Sequence, residues 1–423
     1  MKNSIKTSIG IRLSVSCALA LAFAYARPPG GPPPQNGGGM APAQRPRPIA
    51  RVVSVPAGNT QLGDPLPGLT AEQLALFGEG LDEFESAETV AGGLGPIFNN
   101  VSCVACHNAG GTGGASAILV TRFGHTANGK FDPLDSLGGS LLQENSIDPG
   151  VQEIIPAEAN ITANRQSTPL FGLGLIEAIP DDAILRNAQH PPIDGITGRA
   201  AIITDIATGQ QRVGRFGWKN QHANLLSFAG DAYLNEMGVT SRLFPKENAP
   251  NGNLTLLAAY DKTEDPEDTV DPNTGESDID HAADFMRLLA APQPLQLTRS
   301  ANTGRQLFQQ MNCAICHVPS MMTGPSLIAS LNKKPVGLYS DLLLHQMGKL
   351  GDGIVQSAAG AQEMRTAPLW GLRASAPYLH DGRAPNIDMA IRLHDGEAQG
   401  SRERYIRANP TQQQQVIDFL KSL

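Results

Sequence analysis

Cys103-Val104-Ala105-Cys106-His107 and its second copy, Cys313-Ala314-Ile315-Cys316-His317, decide how this chain is read. C-x-x-C-H is the attachment signature of c-type haem. Each thiol adds to a haem vinyl group as a thioether, and the adjacent histidine sits below the iron as its proximal ligand. Two residues between the thiols let both reach one porphyrin edge while the histidine turns under the ring. Cys103, Cys106, Cys313 and Cys316 are therefore expected to hold two covalently bound haem c groups, with His107 and His317 on the irons. The plain alternative for C-x-x-C is a redox dithiol or a zinc half-site. It leaves both trailing histidines unexplained.

A chain of 423 residues is long enough for two or three domains and for a well-buried core. Residues 1–26 read as a signal peptide. Lys2, Lys6 and Arg12 give a positive start, Leu13 to Ala24 is apolar, and Ala24-Tyr25-Ala26 fits the small-residue cleavage rule. Export to the periplasm or cell exterior is the expectation. The apolar run is too short to span a bilayer, and no other run is long enough, so no stable membrane insertion is expected after cleavage. An uncleaved anchor is the alternative. Cys17 lies inside that run, and the other four cysteines belong to the haem motifs, so no disulfide is expected. Without Lys2, Lys6 and Arg12 the chain keeps 29 basic against 40 acidic residues, a formal charge of −11. Nucleic acid, which needs a basic footprint, is excluded as a partner. The balance suits a basic redox protein.

Residues 27–65 are rich in proline and glycine and read as a linker after the signal. Thr70 caps an expected helix to about Ala87, with Leu74, Phe77, Leu81 and Phe84 at helical spacing. After His107, glycines 110, 111, 113 and 114 let backbone approach a porphyrin face. Residues 115–165 show no strong periodicity beyond a short strand near Ala117 to Arg122. Asp181 or Asp182 caps a helix to about Asn187. Ala201 to Ala207 and Gln211 to Phe216 form a hairpin around Thr208-Gly209, and 219–236 reads as a helix. Asp261 to Asp280 is acidic; calcium suits its oxygen ligands, but the strict spacing of a calcium loop is missing, so a solvated loop is preferred. Helices are expected over Asp280 to Ala290, up to Gln310, over Ile387 to Leu393, and over Thr411 to Leu423.

The halves echo each other. Ile97-Phe98 precedes Cys103 as Leu307-Phe308 precedes Cys313, and Pro169-Leu-Phe-Gly-Leu echoes Pro368-Leu-Trp-Gly-Leu. Duplication of one haem domain explains this. The sixth iron position decides function: six-coordinate haem moves electrons, and an open site binds peroxide or dioxygen. His125, His222, His345, His380 and His394 are candidates that spacing alone does not separate.

Arg365-Thr-Ala-Pro-Leu-Trp-Gly-Leu-Arg-Ala-Ser-Ala-Pro-Tyr-Leu-His-Asp-Gly-Arg-Ala resembles the C-terminal signature of the bacterial di-haem cytochrome c peroxidase superfamily. Within it the chain is most similar to the di-haem oxidoreductase family. Gly93-Leu-Gly-Pro-Ile-Phe-Asn-Asn-Val-Ser-Cys, Phe171-Gly-Leu-Gly-Leu-Ile-Glu-Ala-Ile-Pro-Asp, Gly214-Arg-Phe-Gly-Trp-Lys and Asp341-Leu-Leu-Leu-His-Gln-Met-Gly add to the likeness. The resemblance implies a mainly α fold of two cytochrome-c-like haem domains, with long irregular loops and minor β hairpins. The expected bounds are 66–292 and 293–423. In the classical peroxidases the C-terminal haem takes a methionine from the helix after the His-Asp-Gly turn, and relatives carry tyrosine or histidine there. His394 occupies that place here, so the resemblance implies His317 and His394 as the axial pair of the second haem. Met347 and His345 are rivals. The swap of methionine for histidine removes the ligand type associated with a raised potential.

By the same resemblance the His107 haem is the reactive one. Peroxide cleavage needs a proton carrier and a group that stabilises charge. Glu177 is the candidate for the first and Arg165 for the second, with His125 and His222 as further residues within reach. Trp370 or Trp218 is expected either between the haems or as plain core. The expected protein is an exported di-haem oxidoreductase that takes electrons from a small cytochrome or copper protein and reduces hydrogen peroxide. The alternatives are a non-enzymatic di-haem electron carrier and a haem-dependent oxidant of an organic or protein substrate.

Overall fold

Thr70 Oγ1 accepts the Gln73 N–H at 3.3 Å, and Gln73 Oε1 accepts the Thr70 N–H at 3.0 Å. This reciprocal cap opens the first helix and satisfies two amides that would otherwise lack partners. The computed structural model describes residues 60–264 and 266–423. The signal segment, Cys17 and the 27–65 linker up to residue 59 lie outside the described residues. Six helices position the site: α1 (Ala71–Glu85), α2 (Leu225–Ala232), α3 (Asp278–Leu288), α4 (Arg299–Gln310), α5 (Ile387–Arg392) and α6 (Pro410–Leu420). Helix outweighs strand, 34% to 15%, and long irregular segments join the elements. No helix among the described residues is long and apolar enough to cross a membrane.

α1 buries Phe77 and Phe84 on the stripe its spacing predicts. It packs on α3, where Phe285 lies 5.3 Å from Phe77 and 4.6 Å from Phe84, centroid to centroid. α4 packs on α6 in the same manner, with Phe308 and Phe419 5.4 Å apart. Two apolar cores result. The larger gathers α1, α2, α3 and the Leu170–Ile179 region, and draws in Leu338, Leu342 and Trp370. The smaller holds Phe308, Met311, Ile387, Tyr405, Phe419 and Leu420.

Residues 115–165 carry more structure than their weak periodicity suggests. β1 (Leu119–Ala127) is the central strand of a sheet in the order β2-β1-β3, with β2 (Lys130–Asp132) and β3 (Ile161–Gln166) antiparallel to it. Leu119 pairs with Gln166, and Gly124 with Ile161. Most of β1 is half-buried on both faces, so no two-residue alternation is written into it. The expected hairpin forms, Ala201–Thr204 against Gln211–Gly214. The helix expected over 219–236 starts only at Leu225, capped by Asn224. Lys219 and Asn220 are drawn into buried loop contacts with the Glu363 and Leu342 carbonyls instead. The helix then widens into a π turn at Tyr233–Met237. A helix over Gln399–Arg407 buries only Ser401 and Tyr405, a stripe too thin to read in advance.

The acidic stretch is not simply solvated. Asp268 is buried and accepts from Ser277 Oγ and from the Asp278 and Ile279 amides, closing the start of α3. Asp280 completes the cap through Ser277 N–H. The Asp268 and Asp280 oxygens of this stretch thus serve the helix start.

Candidate functional site

His107 Nδ1 lies 3.1 Å from the Gly114 carbonyl, and His317 Nδ1 lies 3.0 Å from the Tyr339 carbonyl. A carbonyl only accepts, so each Nδ1 carries the hydrogen and each Nε2 keeps its lone pair. That is the arrangement a metal-ligating imidazole needs. Burial pushes both rings down to about 4, so they are neutral at ordinary pH.

The surroundings of the two histidines repeat. Phe84 of α1 lies 6.1 Å from the His107 ring, and Phe308 of α4 lies 6.2 Å from the His317 ring. The Leu170 amide donates to Gly113 O at 2.8 Å, and the Leu369 amide donates to Leu338 O at 2.9 Å. Gly113 and Leu338 each stand one residue before the carbonyl that holds the proximal histidine. Gly172 (φ +73°) and Gly371 (φ +71°) then take the left-handed conformation at the start of a helical turn. A side chain at Gly172 would strike Ala291 and Trp370, and one at Gly371 would strike Pro292. The Pro-Leu-aromatic-Gly-Leu echo therefore has a structural basis. The other echo does not. Phe98 sits on a short strand paired with Asn145, and the ring equivalent to Phe308 is Phe84. More chain separates α1 from Cys103 than separates α4 from Cys313.

Each motif opens on a cavity. One, of about 260 Å³, is lined by Cys313, Cys316, His317, Trp370, His380 and His394 among others. The second, of about 170 Å³, is lined by Cys103, Cys106, His107, Arg122, Tyr233 and Glu236 among others. No disulfide joins these four cysteines. Burial pushes Cys106 up to about 11 and Cys313 up to about 12, and raises Cys103 and Cys316 as well. Zinc needs thiolates, and no group of potential metal ligands among the described residues brings the two cysteine pairs together. The geometry fits two separate haem c groups and does not fit a four-thiolate zinc site.

His394 follows α5 and faces His317 across the larger cavity, with ring centroids 6.5 Å apart. Two imidazoles on one metal, with metal–nitrogen bonds of about 2 Å, place their centroids roughly 6.3 Å apart. His394 Nδ1 lies 2.8 Å from Ala390 O, so its Nε2 is also free. Of the rivals, Met347 also lines the cavity, whereas His345 is taken up elsewhere. His345 has Nδ1 at 2.9 Å from Glu397 and Nε2 at 2.9 Å from Asp341, leaving no lone pair. Burial alone would lower its pKa, but hydrogen bonds to Asp341, Cys316 and Glu397 carry it up to about 12. His345 is an imidazolium that clamps the segment after His394 against the Leu344–Gln346 strand.

The His107 cavity has a different content. His125 sits on β1 with Nδ1 on the Glu158 carbonyl, and His222 faces Asp231 at 3.2 Å; neither is among the cavity-lining residues. Glu177 is also elsewhere. Its Oε1 accepts the Leu225 amide at 2.8 Å and its Oε2 accepts Arg287 Nε at 2.7 Å, so it serves the start of α2. Arg165 lines the cavity, but its guanidinium is paired with buried Asp352, which also holds Lys219 at 2.9 Å. Glu236 and Arg122, which sequence reasoning missed, reach the cavity instead. Burial pushes the Glu236 carboxyl up, against the opposing pull of an Asn99 hydrogen bond at 2.8 Å and of Arg122. Its place on a π turn is one where functional groups often occur.

One wall is shared. Gln166, Ser167, Thr168, Gly217, Trp218 and Phe228 line both cavities. Trp218 Nε1 donates to Gln166 O at 2.8 Å, and the Arg365 amide donates to Trp218 O at 2.9 Å. Trp370 lines the larger cavity and packs in the main core.

A family model described as "Di-haem oxidoreductase, putative peroxidase" matches residues 150–423. The cytochrome c peroxidase of Escherichia coli is 26% identical over 194 residues, which cover 42% of this chain and 38% of that protein. The chain thus matches well under half the length of that curated relative. Among solved structures, hydrazine synthase of Kuenenia stuttgartiensis overlaps 94% of this chain and 100% of its own at 15% identity and a TM-score of 0.40. The diheme peroxidase BthA of Burkholderia thailandensis overlaps 82% and 86% at 11% identity and a TM-score of 0.37. On the match over residues 150–423, with the C-x-x-C-H motif at Cys313 inside it, the chain belongs to the di-haem oxidoreductase family.

Proposed function

We propose that this protein is an exported di-haem c oxidoreductase that reduces hydrogen peroxide with electrons from a small cytochrome or copper protein. Cys103 and Cys106 tether one haem and Cys313 and Cys316 the other, in two cytochrome-c-like domains related by duplication. His107 would hold the first iron, and His317 with His394 would hold the second. One observation carries the reading: a second histidine faces His317, while among the described residues His107 is the only histidine that lines its cavity. That asymmetry suits one iron that relays electrons and one that meets substrate.

Haem c, when bound, supplies the iron that passes electrons to peroxide. The overall reaction takes two electrons and two protons per peroxide and releases two waters. Glu236, whose carboxyl burial pushes up, is the group placed to deliver a proton to the leaving oxygen. Trp218, in the shared wall, lies on the path between the cavities. The test is steady-state peroxide consumption by purified holoprotein with a reduced small cytochrome or cupredoxin. Turnover with one ligand-accessible iron supports the proposal. Two irons inert to added ligands and no turnover with any donor would favour the electron carrier.

A further inference from the structure

Haem brings two carboxylates with it, and a buried carboxylate needs a cation. The cations that line each cavity can be accounted for one by one. In the larger cavity, Arg402 is engaged by the His394 carbonyl at 2.8 Å and by Asp395 at 3.2 Å. Arg365 is different. It is only 8% exposed, it lines the cavity, and its Nε donates to Gly217 O at 2.8 Å. No carboxylate pairs with its guanidinium among the described residues, and burial alone pulls it down to about 10. In the smaller cavity, Arg165 is paired with Asp352. Arg122 forms no ion pair among the described residues, its Nε has no hydrogen-bond partner, and its Nη1 meets only Ser140 Oγ at 3.4 Å. Each cavity thus holds one lining guanidinium that no direct ion pair engages among the described residues; Arg365 has no carboxylate acting on it, while Arg122 feels Asp231, Glu236 and Asp352 only at longer range.

We propose that Arg365 and Arg122 are the guanidinium partners of the haem propionates, Arg365 for the second haem and Arg122 for the first. The inference rests on the reading of both C-x-x-C-H motifs as haem c attachments. Leaving a guanidinium buried without a counter-charge is costly, whereas a fork-shaped pair with a carboxylate satisfies it on two nitrogens at once. The group that arrives in these cavities with free carboxylates is the haem. Arg365 has a further connection: its amide and Nε hold the Trp218 and Gly217 carbonyls. The propionate charge of the second haem is thereby tied to the wall shared by both cavities.

The experiment compares wild-type holoprotein with R365Q, R365K and R122Q. Haem content is read by intact mass, midpoint potentials by spectroelectrochemistry, and the propionate bending band by resonance Raman. A cation beside a haem favours the reduced state, so R365Q lowers the potential of the low-spin second haem and leaves the first largely unchanged. Freed of its partner, the propionate titrates nearer neutrality, so that potential acquires a pH slope from about pH 5 to about pH 8 that the wild type lacks. R122Q produces the same changes at the first haem. If R365Q fails to fold or load, R365K decides: it keeps the charge and the potential but loses the fork, so the propionate band shifts. Unchanged potentials in R365Q, or an unchanged band in R365K, overturn the proposal while two haems are present. Wild-type protein without two haems overturns the underlying reading instead.

Discussion

His317 and His394 face each other with ring centroids 6.5 Å apart and planes tilted by 58°, and each turns its Nδ1 to a backbone carbonyl. A gap of that size between two neutral, buried imidazoles is the space one iron requires. It distinguishes the larger cavity, where we propose a six-coordinate iron, from the smaller one at His107.

His394→Ala therefore converts the second haem from low-spin to high-spin or ligand-accessible, read in the electron paramagnetic spectrum of the oxidised protein. His394→Met keeps it six-coordinate and raises its potential, because a methionine ligand favours the reduced iron. An unchanged spectrum in both variants would assign the ligand elsewhere.

Glu236→Gln removes the carboxyl that faces the first cavity. Peroxide turnover is expected to fall by about 10²-fold or more, in the range of general acid–base catalysis, with haem content unchanged. Glu177→Gln should act on stability instead, since Glu177 bonds the start of α2 and Arg287. Turnover per folded molecule in that variant should stay within a few-fold of wild type. The reverse pattern would return the proton role to Glu177.

Trp218→Phe tests the shared wall. Loss of the indole N–H frees the Gln166 carbonyl and puts a smaller ring in the shared wall. Transfer from the second haem to the first is expected to slow by roughly tenfold, about 1.4 kcal/mol in barrier. Trp370→Phe should cost stability through the core with little effect on that rate. Stopped-flow reduction of the two haems distinguishes them.

Asp352 sits between Arg165 and Lys219 with all three side chains nearly out of solvent. Asp352→Asn leaves two buried cations unpaired, so a loss of about 3–5 kcal/mol is expected in denaturant melts. The Asp352 pKa is lowered: burial would raise it, but the Arg165 and Lys219 charges and hydrogen bonds outweigh burial. A lowered carboxyl stabilises the fold above its unfolded pKa and loses that contribution as pH falls through the folded value. Wild type should therefore lose stability on acidification more steeply than Asp352→Asn.

The motifs and long amphipathic helices were legible because short-range rules write them. Thr70, Phe77 and Phe84 carry their cap and stripe in the local spacing, and C-x-x-C-H carries its own chemistry. The sheet around β1 was hidden because its strand is half-covered on both faces. Glu236 and Arg122 were hidden because nothing local marks them. They reach the first cavity through a π turn and a strand that are far apart in sequence. Glu177 misled because its neighbouring Pro-Leu-Phe-Gly-Leu block truly belongs to the site, while its own side chain turns toward Arg287.

The most direct measurement is intact and peptide mass spectrometry of exported protein, with a pyridine haemochrome spectrum beside it. The account predicts two haem masses per chain, one on the peptide with Cys103 and Cys106 and one on the peptide with Cys313 and Cys316. Free thiols at those four positions, with no added mass, would contradict it.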